Sequence, residues 1–122
     1  MSNFVKAVNK AEKQFRKELS ELLKKAAQKY QGTCILSRIE SKSIPSGGPF
    51  FGMLHFYGED MHNYTLKNGH ILHEVKPIIS HPPEDSKGGP YTVGKLSYRE
   101  FIKSLSFQEL LYVANELTKL GF

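Results

Sequence analysis

Apolar residues recur at spacings of three and four over the first thirty positions, which is the period of an α-helix with one buried face. No proline or glycine interrupts residues 3–30, and good helix formers dominate the segment. Asn3 is a suitable N-cap, and Gly32 is placed to end the helix. We therefore predict one long amphipathic helix with this apolar stripe against the core: Phe4, Val8, Ala11, Phe15, Leu19, Leu22 and Ala26.

The clearest strand signal is an Asn-Gly pair, Asn68-Gly69, between two β-rich runs. Both residues tolerate positive φ, so the pair predicts a two-residue type I′ hairpin turn. The turn sets a register in which Lys67 opposes His70, Leu66 opposes Ile71, Thr65 opposes Leu72 and Tyr64 opposes His73. Side chains alternate along a strand, so we expect one face to meet the core through His62, Tyr64, Leu66, Ile71, His73 and Val75.

Two Gly-Gly-Pro segments lie on either side of this hairpin, and each is followed by an aromatic residue, at 47–50 and 88–91. Glycine permits a chain reversal, and each proline lacks the N–H that a phosphate cradle needs, so both segments predict turns. Further strands are predicted over 33–39 and 50–57. The sheet region is therefore 33–79, and residues 80–95 are predicted as a loop with a short edge strand at 91–93.

Two capping boxes in tandem mark the start of two C-terminal helices within residues 97–120. Ser97 lies three residues before Glu100, and Ser106 lies three residues before Glu109, while Gly121 is placed to end the second helix. The order of elements predicts a single α+β domain over residues 1–122. It has a long N-terminal helix, a sheet of three to five mostly antiparallel strands, and two short C-terminal helices.

Composition places the chain among ordinary soluble domains, with 39% hydrophobic and 24% charged residues in 122. No apolar stretch is long enough to span a bilayer, and lysines interrupt the N-terminal segment where a signal peptide needs an apolar run. We therefore expect a cytoplasmic protein that does not act at a membrane. The single cysteine, Cys34, excludes an internal disulfide, and its neighbours Ile35 and Leu36 predict a buried, inert thiol.

The net charge of +5 is concentrated in the predicted first helix. Residues 1–30 carry eight lysines and arginines against three glutamates, whereas residues 31–122 carry nine of each sign. At about 100° per residue, five lysines form a narrow lysine row opposite the apolar stripe: Lys6, Lys10, Lys13, Lys17 and Lys24. A solvated outer face accounts for this row as well as an anion-binding face does, and aligned lysines suit sequence-independent contact with phosphates.

Four histidines lie close together in the sequence, at His55, His62, His70 and His73. The hairpin register places His62, Tyr64 and His73 on one face, and these three are the candidate catalytic residues for general acid–base chemistry. His55 joins them if its strand faces the same way. Aromatic packing with satisfied ring nitrogens explains the cluster more simply. No metal-ligand spacing is present, so we predict no metal and no cofactor.

No catalytic motif stands out, so we predict a small non-enzymatic binding or regulatory protein. Its partner would be an anionic macromolecule, RNA, single-stranded DNA or an acidic protein, held by the lysine row. Two alternatives remain open. One is a protein–protein inhibitor or self-assembling structural protein that uses the 81–95 loop. The other is a metal-independent ribonuclease that uses the histidine–tyrosine cluster.

Overall fold

The computed structural model describes residues 2–45, 55–80 and 90–122, and it confirms the predicted α+β fold. The helices are α1 (Asn3–Lys29), α2 (Tyr98–Ser104) and α3 (Phe107–Lys119). Between α1 and α2 the chain forms β1 (Cys34–Pro45), β2 (His55–Lys67), β3 (His70–Ser80) and β4 (Tyr91–Leu96). These strands make one antiparallel sheet in sequential order. The Gly-Gly pairs of both predicted turns lie outside the described residues.

The β2–β3 hairpin has the predicted register at all four predicted pairs. Gly69 adopts the positive φ of 91° that the Asn-Gly turn requires. Tyr98 of α2 holds this turn in place: its hydroxyl donates to Lys67 O at 2.6 Å and accepts from Gly69 N at 2.7 Å. The predicted inward face is confirmed, because its apolar members are buried: Tyr64, Leu66, Ile71 and Val75.

All three helices contribute to a single core against this face of the sheet. The Phe101 ring of α2 packs on the Tyr64 ring with the centroids 5.2 Å apart. Further buried residues come from α1 (Leu19, Leu23, Ala26, Ala27), β1 (Ile35, Leu36) and the two C-terminal helices (Ile102, Leu110, Val113, Leu117). The core therefore brings the second half of α1 against two helices that lie about eighty residues later in the chain.

Only the second half of α1 packs on the core. Phe15 is the first residue that contacts it, whereas Phe4 and Val8 are 77% and 49% exposed. The predicted burial of the whole apolar stripe is thus wrong for its first half. With 27 residues α1 is about 40 Å long, whereas α3 with 13 residues is about 20 Å long, so α1 extends past its packing partners. No helix in the described ranges, α1 included, combines the length and the apolar character needed to cross a membrane.

Local capping signals are largely confirmed. Ser106 and Glu109 form the complete predicted box at α3. At α2 the Ser97 hydroxyl accepts from Glu100 N, but the carboxylate of Glu100 accepts from that hydroxyl and not from the Ser97 backbone. The N-cap of α1 is Ser2, whose hydroxyl accepts from Val5 N at 3.2 Å, so Asn3 becomes the first helical residue.

Two segments differ from the sequence expectations. The short edge strand predicted at 91–93 is present but longer: β4 continues to Leu96 because the chain stays paired with β3, so residues 94 and 95 do not belong to the predicted loop. Cys34 is exposed and not buried. A β-bulge between Cys34 and Leu36 turns both Ile35 and Leu36 inward, and it leaves the Cys34 Sγ atom 3.3 Å from Ser37 Oγ.

The second half of α1, which packs on the core, should contribute most of what this helix adds to the free energy of unfolding. We expect Leu23→Ala to lower the free energy of unfolding by about 2–5 kcal/mol, because a fully buried side chain leaves a cavity. The adjacent exposed residue gives the control: Lys24→Ala should change it by less than about 0.5 kcal/mol. Urea unfolding followed by circular dichroism measures both, and equal effects would contradict this packing.

Candidate functional site

The lysine row lies in solvent along the outer side of α1. Lys6, Lys10, Lys13, Lys17 and Lys24 are all exposed. The ion pairs found within the described ranges involve other residues, so none of the five is neutralised there by an acid of this chain. The predicted binding residues are therefore accessible from solvent and are not paired with acids of the described ranges.

Part of the lysine row borders a groove between α1 and α2. The groove has a volume of about 560 Å³, and it is lined by Lys13, Arg16, Lys17, Ser20, Arg99, Ile102 and Lys103. Arg99 and Lys103 lie four residues apart on α2, are both exposed, and face the groove beside the two α1 lysines. No acidic side chain is among these lining residues. We call this feature the cationic groove.

Arg16 is the one cation of the groove that is engaged within the protein. Its Nη1 donates to Ile102 O at 2.7 Å and to Leu105 O at 3.1 Å, at the C-terminal end of α2. Its Nη2 donates to Glu12 Oε1 at 2.8 Å. A cation is favoured at a helix C-terminus, where carbonyls lack partners within the helix. Arg16 therefore joins α1 to α2, and the lysines on both sides of it are left to face solvent.

Arg99 and Lys103 are not among the binding residues predicted from the sequence, all of which lie on α1. Their spacing of four residues after a capping box is a signal that they share one face of a helix. That signal does not say where the face points. Arg16 and Ile102 lie 86 residues apart in the chain, and tertiary contacts such as theirs bring α2 beside the lysine row.

The structure also brings together the three candidate catalytic residues. His62 Nδ1 and His73 Nε2 are 2.8 Å apart, and the Tyr64 ring stacks on His73 with centroids 4.4 Å apart. His62 Nε2 lies 2.9 Å from Glu40 Oε2 of β1, but the approach is too oblique for a hydrogen bond. We call His62, Tyr64 and His73 the histidine cluster. The side chain of His55 lies outside the described part of the structure.

Arg38 of β1 fixes the histidine cluster against the helices. Its Nη2 donates to the Tyr64 hydroxyl at 2.7 Å, and its Nη1 contacts Glu109 Oε2 of α3 at 3.1 Å. The cleft above the cluster measures about 390 Å³ and is lined by Arg38, Ile39, Glu40, His62, Tyr64 and His73. Side chains alternate along a strand, so residues 36, 38 and 40 lie on the same face. This alternation in the sequence could have predicted that Arg38 and Glu40 lie on the face of the buried Leu36.

A single proton fits between the two imidazoles, because facing nitrogens at hydrogen-bond distance need one donor and one acceptor. Burial, then His62 and then the Arg38 guanidinium lower the pKa of His73 below its ordinary value of 6.5. His62 Nδ1 is paired with His73 Nε2, and His62 Nε2 is buried beside the Glu40 carboxylate without a hydrogen bond to it, so neither ring nitrogen of His62 is open to a substrate. Nowhere in the described ranges do three or more His, Cys, Asp or Glu side chains converge on a metal site.

Comparison of the chain with protein-family models, with curated proteins and with solved structures gave no match. The two sites are therefore judged on their geometry and charge.

Protonation of the histidine cluster should destabilise the fold. Because folding lowers the pKa of His73, the unfolded chain binds a proton at this residue more tightly than the folded chain does. The unfolded state is therefore increasingly favoured once the pH falls below about 6.5. This stabilising contribution is complete above that pH and is lost as the pH falls through the folded pKa. We expect a lower urea midpoint at about pH 5.5 than at about pH 7.5, and a weaker pH dependence in His73→Gln.

His70 provides the matched control, since it is half-buried on the opposite face of the hairpin. His70→Gln should retain the pH dependence of the wild type. If His73→Gln keeps the full dependence as well, other groups account for it and the assignment to the cluster is wrong.

Proposed function

We propose that the protein is a small non-enzymatic protein that binds a single-stranded nucleic acid through the cationic groove. The observation that carries this proposal is that four cations from two separate helices line one groove without an acid among its lining residues: Lys13, Lys17, Arg99 and Lys103. Lys6 and Lys10 continue the same row toward the start of α1, and Lys24 continues it toward the end.

Electrostatic repulsion supports a binding role over a merely solvated surface. Like charges at spacings of three and four on a helix destabilise it, and here two such sets face each other across a groove. Surface cations without a partner are usually interspersed with acids, which lowers this repulsion. An anion in the groove removes the repulsion and adds attraction, so binding should also stabilise the fold.

The shape of the charge favours a linear polyanion as the partner. From Lys6 to Lys24 the row extends about 27 Å along α1, at 1.5 Å per residue. A row of this length, one side chain wide, matches the regular phosphates of a single strand. Lysine contacts phosphate as a point charge, whereas specific base recognition relies on bidentate arginine contacts. We therefore expect affinity with little preference for sequence.

Salt dependence tests the proposal directly. Binding to a fluorescein-labelled single-stranded RNA, followed by anisotropy, should weaken with a log–log slope of about −3 if four phosphates are contacted. Each lysine removed should reduce this slope by about 0.7, so the double variant Lys13→Gln/Lys17→Gln should reduce it by about 1.4. Glutamine keeps the helix propensity of lysine, so the fold should be unaffected.

The control removes the same charge elsewhere. Lys76 and Lys95 are exposed and alternate with the inward residues Val75 and Leu96, so they lie on the sheet face away from the helices. Lys76→Gln/Lys95→Gln should retain most of the affinity and the slope. Equal losses in the two double variants, or binding of polyglutamate in preference to RNA, would contradict a nucleic-acid groove.

RNA cleavage is the second candidate, because His62, Tyr64 and His73 converge as that hypothesis requires. His62 Nδ1 is paired with His73 Nε2 and His62 Nε2 is buried, which weighs against this candidate, so we expect the wild-type protein to leave single-stranded RNA intact. Cleavage that is lost in His73→Gln but retained in Lys76→Gln would establish the ribonuclease instead. The inhibitor hypothesis stays a prediction, since residues 81–89 of its loop lie outside the described residues.

A further inference from the structure

A second groove lies on the other side of α1 from the lysine row, and its character is apolar. It has a volume of about 610 Å³ and is lined by Val8, Ala11, Glu12, Phe15, Phe107 and Leu111. Phe107 and Leu111 at the start of α3 are 55% and 45% exposed, and Phe4 lies beyond them near the free end of α1. We call this feature the apolar groove.

The apolar groove exists because the apolar stripe of α1 and its buried face do not coincide. At about 100° per residue, Phe4, Val8, Ala11 and Phe15 centre about 90° from Leu23. The core takes the Leu23 side, so the first half of the stripe is left in water beside α3. Clustered large apolar side chains on a surface are a common mark of an interaction site.

We propose that a second copy of this chain occupies the apolar groove, in a two-fold dimer whose α1 helices pack antiparallel. The stripe residues 4, 8, 11 and 15 are separated by four, three and four positions, so their spacing is the same in both directions. A two-fold axis between residues 9 and 10 places Phe4 of one copy opposite Phe15 of the other, and Val8 opposite Ala11. Antiparallel helices pack in this way, and a two-fold interface must be self-complementary.

The groove and the exposed end of α1 also fit each other in shape. Phe4 is the most exposed large apolar side chain in the described ranges, and in the dimer it points at the groove of the other copy. The wall of that groove is aromatic, with the Phe15 and Phe107 rings 6.5 Å apart, and Leu111 lies beyond them. Ala11 at the centre is small enough to let the two helices approach closely opposite Val8.

The charges of α1 are compatible with this pairing. The lysine row lies on the far side of α1, so it points away from the second copy. The first turn of α1 has no acidic residue to complement the positive end of the helix dipole. In the antiparallel pair, positions that sum to 19 oppose each other, so Glu18 of the other copy lies opposite position 1, just beyond the N-terminal end of α1 and near the positive end of the dipole. Within its own chain Glu18 accepts only from Gln14, at 3.0 Å, among the described hydrogen bonds.

The inference is independent of the proposed nucleic-acid function. In the dimer the two cationic grooves face outward, so pairing neither requires nor blocks an anion. The seam between Phe4 and Phe15 is only about 17 Å long. Together with the residues of α3 it forms an interface of modest size, so we expect a dimer that dissociates on dilution.

The oligomeric state of the full chain tests the proposal. Sedimentation equilibrium across low to high micromolar concentrations should show the mass rising from monomer to dimer. Val8→Glu places a charge at the centre of the seam and should remain a monomer throughout. The control is Val93→Glu, at a valine of β4 that is similarly exposed (54% against 49%), and it should dimerise like the wild type. Circular dichroism confirms that both variants are folded.

Cross-linking tests the geometry of the pair. In a Cys34→Ser background, a short bis-maleimide should link Ala11→Cys into a covalent dimer, because the two copies of position 11 flank the axis. Lys13→Cys, on the far side of α1, should not be linked. A monomer at every concentration, a dimer that survives Val8→Glu, or equal cross-linking at both positions would overturn the proposal.

Discussion

Arg16 is the contact on which the arrangement of both surfaces depends. It lies near the middle of α1, and its guanidinium donates to two carbonyls at the end of α2 and to the carboxylate of Glu12. The contact joins α1 to α2 next to Phe15, the first residue of α1 that packs on the core. The buried residues of α1 come after Arg16, whereas Phe4 and Val8 before it are exposed.

This attachment gives α1 two accessible sides with opposite chemistry. On one side Lys13 and Lys17 meet the cations of α2 across a groove, and on the other Val8 and Phe15 border the start of α3. An amphipathic helix that packs on a core along its whole length buries its apolar stripe and exposes its charges. Here the stripe is displaced from the core direction, so both sides remain accessible. We propose a nucleic acid as the partner of one side and a second copy of the chain as the partner of the other.

The histidine cluster shows how tertiary contacts change the meaning of a residue pattern. Two histidines and a tyrosine on one strand face are equally typical of acid–base catalysis and of packing. In the structure His62 and His73 use ring nitrogens on each other, and Arg38 joins Tyr64 to α3. The cluster therefore serves to join the sheet to a helix. For that reason we expect protonation of the cluster to affect the stability of the fold, and we do not expect it to support catalysis.

The sequence by itself determined the features that depend on neighbouring residues: the helical period of α1, the Asn68-Gly69 turn with its register, and the capping of α3. From these alone followed the α+β fold, the lysine row and the shared face of His62, Tyr64 and His73. Only the tertiary structure decided how far α1 packs, that Arg99 and Lys103 join Lys13 and Lys17, and that Cys34 is exposed. The reason is physical: local hydrogen bonds and side-chain periodicity are set within a few residues, whereas the direction in which a helix face points is set by contacts between distant segments.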